Sequence, residues 1–322
     1  MLEKAGFRHL PDVVGQTAIL INDDPLTHGL SIIKTGTDHY ADRLNFTQFA
    51  GMQTLTSQVW KRSERLRPAW IGDCGAHPEW AREANTPWGT DGSMYHPNLK
   101  EGERLVVLQD DLLRKITLSY AARAEFLGFD AFKYTVAPET FATTAEHPPN
   151  CAYSNDAPSG TFNVTSYKNA PVHMSKPFFL DADPSYRAGI DGLPVPDPAK
   201  HDMVFWLEPK LGIPLQEMKR AQINFHIHPQ KHWPMTAALR PEGFFSPLAF
   251  TEESVTLPEG LRSEIMYLIE GSHVLAMVIR YGGLVSGSLL SGWCVVLIYR
   301  RCDLTRRARR TDYPTEEDPL LQ

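Results

Sequence analysis

Between Tyr281 and Tyr299 the chain reads YGGLVSGSLLSGWCVVLIY, 19 residues without a charge. As a helix this run is about 28 Å long at roughly 1.5 Å per residue, enough to cross the hydrocarbon core of a bilayer. Arg280 precedes it, and Arg300, Arg301, Arg306, Arg307, Arg309 and Arg310 follow. Tyr281, Trp293 and Tyr299 sit toward its ends, where interface aromatics belong. A core helix gives no reason for such flanks. The arginine-rich side is expected in the cytosol, which divides the sequence into residues 1–266 outside or in a lumen, 267–299 as juxtamembrane segment and transmembrane helix, and 300–322 as cytoplasmic tail.

That orientation meets an obstacle at the other end. MLEKAGFRHLPDVVG carries neither the apolar run of a signal peptide nor that of a first membrane helix. Either the chain is tail-anchored with its bulk in the cytosol, or it belongs to a longer protein that starts upstream. Two sequons, Asn45-Phe46-Thr47 and Asn163-Val164-Thr165, favour a lumenal domain glycosylated at Asn45 and Asn163. Of 4 cysteines, Cys294 and Cys302 lie in or beside the membrane segment, where palmitoylation is feasible. Cys74 and Cys151 remain for the soluble region, either as two reduced thiols or as one disulfide.

The 25 prolines are spread along the chain and favour many short strands and turns over long helices. Strand-like runs recur at residues 31–36, 104–109, 129–137, 160–167 and 203–209. The clearest strand surrounds QINFHIHP. Ala221, Ile223, Phe225 and Ile227 fall on one face, while Arg220, Gln222, Asn224, His226 and His228 form a polar series that reads as a solvated face. MVFWLEP and this strand form a hairpin through Lys210-Leu211-Gly212. The stretch from Asp110 to Phe126 reads equally as a helix or as a strand with a helical turn.

A net charge of -6 gives no field that would draw in nucleic acid, and none is expected as a partner. His226, His228 and His232 are spaced for a strand-borne zinc site, but no acidic or cysteine partner stands at a telling distance, so no metal is expected. Nucleophile-elbow, phosphate-loop and His-Glu-x-x-His patterns are absent, and paired acids such as Asp110-Asp111 read as surface charge. The sequence offers no catalytic residues, no cofactor and no enzyme.

The stretch from Asn163 to Phe225 resembles the signature region of the class B scavenger receptor family. The matching pieces are Ala170-Pro171-Val172 with Ser175-Lys176-Pro177, Phe179-Leu180, Asp183-Pro184, Gly192-Leu193, His201, Glu208-Pro209 with Gly212, and Lys219-Arg220 through Gln222-Ile223-Asn224. Weaker matches precede them in Lys34-Thr35-Gly36, Gly89-Thr90-Asp91-Gly92-Ser93 and Asp111-Leu112 with Arg114. The resemblance implies a mainly β fold with some α: an antiparallel β-barrel ectodomain core, here partial, holding a lipid tunnel, plus one C-terminal transmembrane helix. It also implies two membrane crossings, of which this chain resembles the C-terminal part, and a disulfide between Cys74 and Cys151. Where the family commonly has a second pair, Leu113 and Tyr167 stand. Ala221, Ile223, Phe225 and Ile227 become candidates for the tunnel wall.

A function follows on the same terms: a membrane glycoprotein that binds and transfers fatty acids, sterols or the lipids of lipoprotein particles. The alternative is a lysosomal sorting receptor that carries a hydrolase by protein contact. Within the membrane run, Gly283, Gly287 and Ser291 repeat every four residues and form a small-residue stripe for packing against another helix or a second subunit of a homo-oligomer. At the end of the tail, Glu316 with Leu320 and Leu321 has the form of an acidic dileucine signal for clathrin adaptor complexes. It favours lysosomal or endosomal membrane over plasma membrane.

Overall fold

The computed structural model describes residues 31–37, 39–49, 55, 74–109, 112, 114–153, 157–164, 172–188, 190–230 and 233–311. The chain divides into two compact units, up to Leu257 and from Pro258. In the first, β1 (Ile32–Ile33) and β2 (Phe46–Gln48) form a small antiparallel sheet. A large antiparallel sheet of 8 strands contains β3 (Leu105–Gln109), β4 (Arg114–Phe126), β5 (Phe129–Val136), β6 (Thr161–Asn163), β7 (Val172–Ser175), β8 (Val204–Glu208), β9 (Ile213–Ile227) and β10 (Phe244–Thr256). Their order is β3-β4-β5-β8-β9-β7-β6, with β10 on the other edge of β9. Among the described residues these ladders form an open path.

Strand β4 settles the stretch that the sequence left open. Its outer half, with Ala121, Ala122, Arg123, Ala124 and Glu125, is exposed and made of good helix formers, so local propensity points away from a strand. Pairing overrides it. β4 runs against β5 from Leu118↔Val136 to Phe126↔Phe129, closed by a two-residue turn in which Leu127 and Gly128 both have positive φ, 50° and 78°. Such a turn matches the twist of paired strands. On the inner half Ile116, Leu118 and Tyr120 alternate into the core.

The hairpin from β8 to β9 forms as expected. Glu208, 3 % exposed, accepts from the amides of Lys210 at 3.0 Å and Leu211 at 2.7 Å, which caps the turn. Gly212 then takes φ 72° and accepts from the Tyr95 amide at 2.8 Å. A Cβ at Gly212 would stand 2.4 Å from the Tyr95 carbonyl oxygen, so a glycine is required both for the backbone angle and for the close approach. This contact fixes the segment that carries Tyr95.

β9 is the hub. Its first half pairs with β8, its second half with β7, and nearly its whole length with β10. Against it collects one apolar core of Leu99, Val107, Leu118, Tyr134, Val136, Phe162, Phe205, Leu207 and Ile223, with others.

A short helix α1 (Pro78–Asn85) lies just after Cys74, which is bonded to Cys151 with a Cα–Cα distance of 5.3 Å. The second unit holds α2 (Glu259–Thr311), a helix of 53 residues that contains Tyr281–Tyr299. At about 80 Å it exceeds a hydrocarbon core of roughly 30 Å. It is long and apolar enough to cross a membrane, and Leu289, Val295 and Ile298 on it are exposed.

The bond between Cys74 and Cys151 closes a loop with a sequence separation of 77. Replacing both cysteines by serine should cost about 4 kcal/mol in the chain-entropy model, or a Tm lower by roughly 8–16 °C. Differential scanning of the two proteins checks this; an unchanged Tm would mean that the bond does not constrain the unfolded chain.

Candidate functional site: a cavity inside the large sheet

A cavity of about 170 Å³ lies within the first unit. It is slightly larger than an engineered apolar cavity of about 150 Å³ that accepts benzene. Every strand of the large sheet contributes to its wall: Val107 from β3, Leu118 from β4, Val136 from β5, Phe162 from β6, Met174 from β7, Phe205 from β8, Ala221 from β9 and Thr251 from β10. One small cavity can touch all of these strands only if the sheet curls around it. Most of the wall is apolar. Its polar residues include Gln109, Thr140, Ser175 and Thr251, and the charged ones are Glu217, Lys219, Arg220 and Glu253, with the Tyr95 phenol.

Glu217 is 6 % exposed, and its Oε2 lies 3.3 Å from the Lys219 ammonium. Burial pushes its carboxyl above the ordinary range, and Lys219 offsets this only in part. Burial also raises the Tyr95 phenol well above its ordinary value, with the Glu217 charge adding to the effect. Arg220 donates from Nε to Glu252 at 2.6 Å and from its guanidinium to the Asp202 carbonyl at 2.9 Å. Arg114 packs behind the wall, 3.9 Å from the Tyr153 ring and 4.7 Å from the Phe162 ring, and donates to the Thr140 carbonyl at 3.1 Å. Burial lowers its pKa to about 10, so it remains charged at neutral pH.

Of the four residues expected on a tunnel wall, Ala221 lines the cavity. Ile223 belongs to the core beside it, Phe225 packs half-buried on that core, and Ile227 sits half-buried opposite Phe244. Tyr95 and Glu217 escaped the sequence reading. Glu217 and Lys219 continue the parity of Ala221 and Ile223, so extending the alternation by two steps would have found them.

The opposite face of β9 corrects an expectation in part: Arg220, Gln222 and Asn224 are buried, while His228 at its end is exposed. Gln222 is 2 % exposed and Asn224 0 %. β7 and the segment after it cover them and supply partners. Asn224 donates to Ser175 Oγ at 3.0 Å, Gln222 donates to Asn224 Oδ1 at 2.7 Å, and Gln222 Oε1 accepts from the Phe178 amide at 2.8 Å. Lys176, also buried, bridges Asp181 and Asp202, each at 2.7 Å. Burial works against its charge, but the two carboxylates outweigh that and hold Lys176 above the ordinary lysine range. His226 donates through Nε2 to the Glu242 carbonyl at 2.9 Å and stacks on Phe245 with centroids 3.9 Å apart. His228 packs on His226, and His232 lies outside the described residues.

The remaining expected sites are placed as follows. Asn45 is 9 % exposed, with its amide 3.5 Å from the Ala41 carbonyl, and Asn163 is half-buried at the end of β6. Gly283, Gly287 and Ser291 lie exposed on α2, where Ser291 Oγ donates to the Gly287 carbonyl at 2.8 Å. Cys294 and Cys302 are exposed free thiols on the same helix. Glu316, Leu320 and Leu321, like Leu113 and Tyr167, lie outside the described residues.

Comparison with known proteins follows the same outline. The model of the CD36 family matches residues 11–298. Human lysosome membrane protein 2 is 28 % identical over 270 residues, 83 % of this chain and 52 % of its own length. Bovine scavenger receptor class B member 1 is 29 % identical over 255 residues, 79 % of this chain and 47 % of its length. Sensory neuron membrane protein 1 of Pediculus humanus subsp. corporis is 28 % identical over 218 residues, 65 % of this chain and 41 % of its length. The chain thus spans about half the length of the curated relatives it matches.

His173 gives the domain a pH dependence. It is 6 % exposed, and burial, then His226 and His228, lower its pKa from 6.5 to about 3. The unfolded chain therefore takes a proton below 6.5 that the folded chain refuses until about 3. Stability present above pH 6.5 is lost on acidification, by about 2 kcal/mol at pH 5. Glu217 works in the opposite sense, so a variant isolates the histidine. The fall in Tm from pH 7.5 to pH 5, about 4–8 °C for this group, should shrink in His173→Gln; an equal fall in both proteins would assign it elsewhere.

Proposed function

The chain belongs to the CD36 family, and from that premise we propose that it is the lipid-handling part of a membrane receptor, taking apolar chains into the cavity of its curled sheet. The observation that carries this reading is the wall itself, contributed by all eight strands and mostly apolar. A cavity of that kind needs no catalytic group, because desolvating an acyl chain is favourable by about 0.8 kcal/mol per buried methylene. The proposal extends the curled sheet to a barrel and the cavity to a tunnel that includes Ala221, Ile223 and Phe225. It takes fatty acids, sterols or lipoprotein lipids as cargo, and the bilayer around α2 as donor or acceptor.

Filling the cavity tests this. Ala221→Trp places a large ring in the space, where the full chain in lipid nanodiscs would otherwise take up a photoreactive acyl lipid. Labelling should fall by about tenfold or more, the loss of roughly 1.4 kcal/mol or more of binding, while the Tm changes by only a few degrees. Unchanged labelling in a folded variant would overturn the reading.

We assign the protein to the lysosomal or endosomal membrane, supported by the tail motif and by the similarity to lysosome membrane protein 2. In a cell, replacing Leu320 and Leu321 by alanine should move most of the protein to the plasma membrane, because adaptor complexes would lose both apolar anchors. Surface biotinylation measures it, and an unaltered surface fraction would favour the plasma membrane as the resident site.

A further inference from the structure

Tyr95 and Glu217 flank one corner of the cavity, and each ends there in an unpaired oxygen. Tyr95 is 1 % exposed and Glu217 6 %, and both line the cavity. Neither Tyr95 Oη nor Glu217 Oε1 has a hydrogen-bond partner among the described residues. The side chain that Gly92 lacks would meet both: a Cβ there would stand 4.0 Å from each of the two oxygens. Gly92 lines the same cavity. A buried phenol and a buried carboxyl oxygen left unpaired lose the hydrogen bonds that water gave them in the unfolded chain. One hydroxyl oxygen placed in the gap restores both, donating its proton to Oε1 and accepting from the Tyr95 hydroxyl.

The surroundings give this corner a direction. On β9 the residues of one parity run from Glu217 and Lys219 to Ala221, Ile223 and Phe225, polar at one end and apolar beyond. A ligand with its head at Tyr95 and its chain along Ala221 meets both characters in the right order. The geometry points to Tyr95 and Glu217 as the residues that select an uncharged hydroxyl head over a carboxylate on the lipid the cavity takes. This rests on the lipid-binding reading above.

A carboxylate head fails for two reasons. It has no proton for Glu217 Oε1, and it would add a negative charge where Asp91 and Glu253 already act on that carboxyl. Among the described residues, the two cations that line the cavity are both engaged. Lys219 is paired with Glu217 itself at 3.3 Å and Arg220 with Glu252 at 2.6 Å. Arg114, whose Nε and Nη1 have no hydrogen-bond partner among the described residues, lies against the rings of Tyr153 and Phe162 and is not one of the residues that line the cavity.

The experiment uses two probes of equal length, diazirine-bearing hexadecanol and diazirine-bearing hexadecanoic acid, presented to the full chain in nanodiscs at an alkaline pH that ionises the acid. The alcohol should label the wild type about fivefold or more above the acid. Tyr95→Phe, which removes one oxygen, should lower alcohol labelling by about three- to tenfold and leave acid labelling unchanged. Glu217→Gln offers a donor to a carboxylate, so it should bring the two probes within about twofold of each other. Acid labelling equal to or above that of the alcohol in the wild type overturns the head-group assignment, whether or not the variants fold. So does a preference that survives in both folded variants. Labelling by neither probe overturns the lipid-binding reading, and this assignment falls with it.

Discussion

The large sheet depends on burying both faces of β9 at once. A strand with β8 and β7 on one edge and β10 on the other has its backbone paired along nearly its full length. Its side chains pose the harder problem, because one face supplies the core and cavity while Gln222 and Asn224 on the other enter a water-poor layer, beside Arg220, which also meets the cavity wall. Buried amides without partners would each cost about 1–3 kcal/mol. The cost is avoided because each polar side chain meets another: Gln222 with Asn224, Asn224 with Ser175, Arg220 with Glu252 and the Asp202 carbonyl.

That requirement accounts for the strained corner after β7. Phe178, Phe179 and Asp181 all hold positive φ, 54°, 57° and 59°, a region that costs a non-glycine residue about 1–2 kcal/mol. The corner is held from several sides. Gln222 takes the Phe178 amide, Arg187 donates to the Phe178 carbonyl at 2.8 Å, the Phe179 ring stacks on Tyr186 with centroids 5.0 Å apart, and Lys176 ties Asp181 to Asp202. The family-like pieces Ser175-Lys176-Pro177 and Gln222-Ile223-Asn224 therefore form one structural unit. Their chemistry is hydrogen bonding across a dry layer, and that explains why this signature region carries buried polar residues.

This layer also marks where the sequence stops being readable. The alternation at Ala221 to Ile227 was visible, and so was the hairpin at Gly212, because both rest on local periodicity and turn chemistry. Whether the polar side of that alternation meets water was not visible. It depends on β7, separated from β9 by some forty residues of sequence, and a buried Asn ladder and a solvated one have the same pattern. β4 stays undecided in the sequence for a related reason, since its exposed Ala121, Ala122, Ala124 and Glu125 favour a helix and pairing with β5 decides for the strand. β10 lacked a signal: Pro247 interrupts it, and its outer half alternates little between apolar and polar. The cavity was half legible, through the parity of Ala221; Tyr95 reaches it from a loop held by the backbone of Gly212.

The two faces of β9 then divide the work of the domain. Substitution at Gln222 or Asn224 strips partners from Phe178 and from Ser175, which also lines the cavity, so its first effect falls on folding. On the other face, Ala221 and Glu217 line the cavity, while the backbone ladders on either side are made by the main chain alone. Under the proposed lipid-binding reading, neighbouring residues on one strand, alternating by one position, would bear on stability and selectivity separately. A change of ligand preference through Glu217, Lys219 or Ala221 would then leave the hydrogen bonds of Gln222 and Asn224 in place.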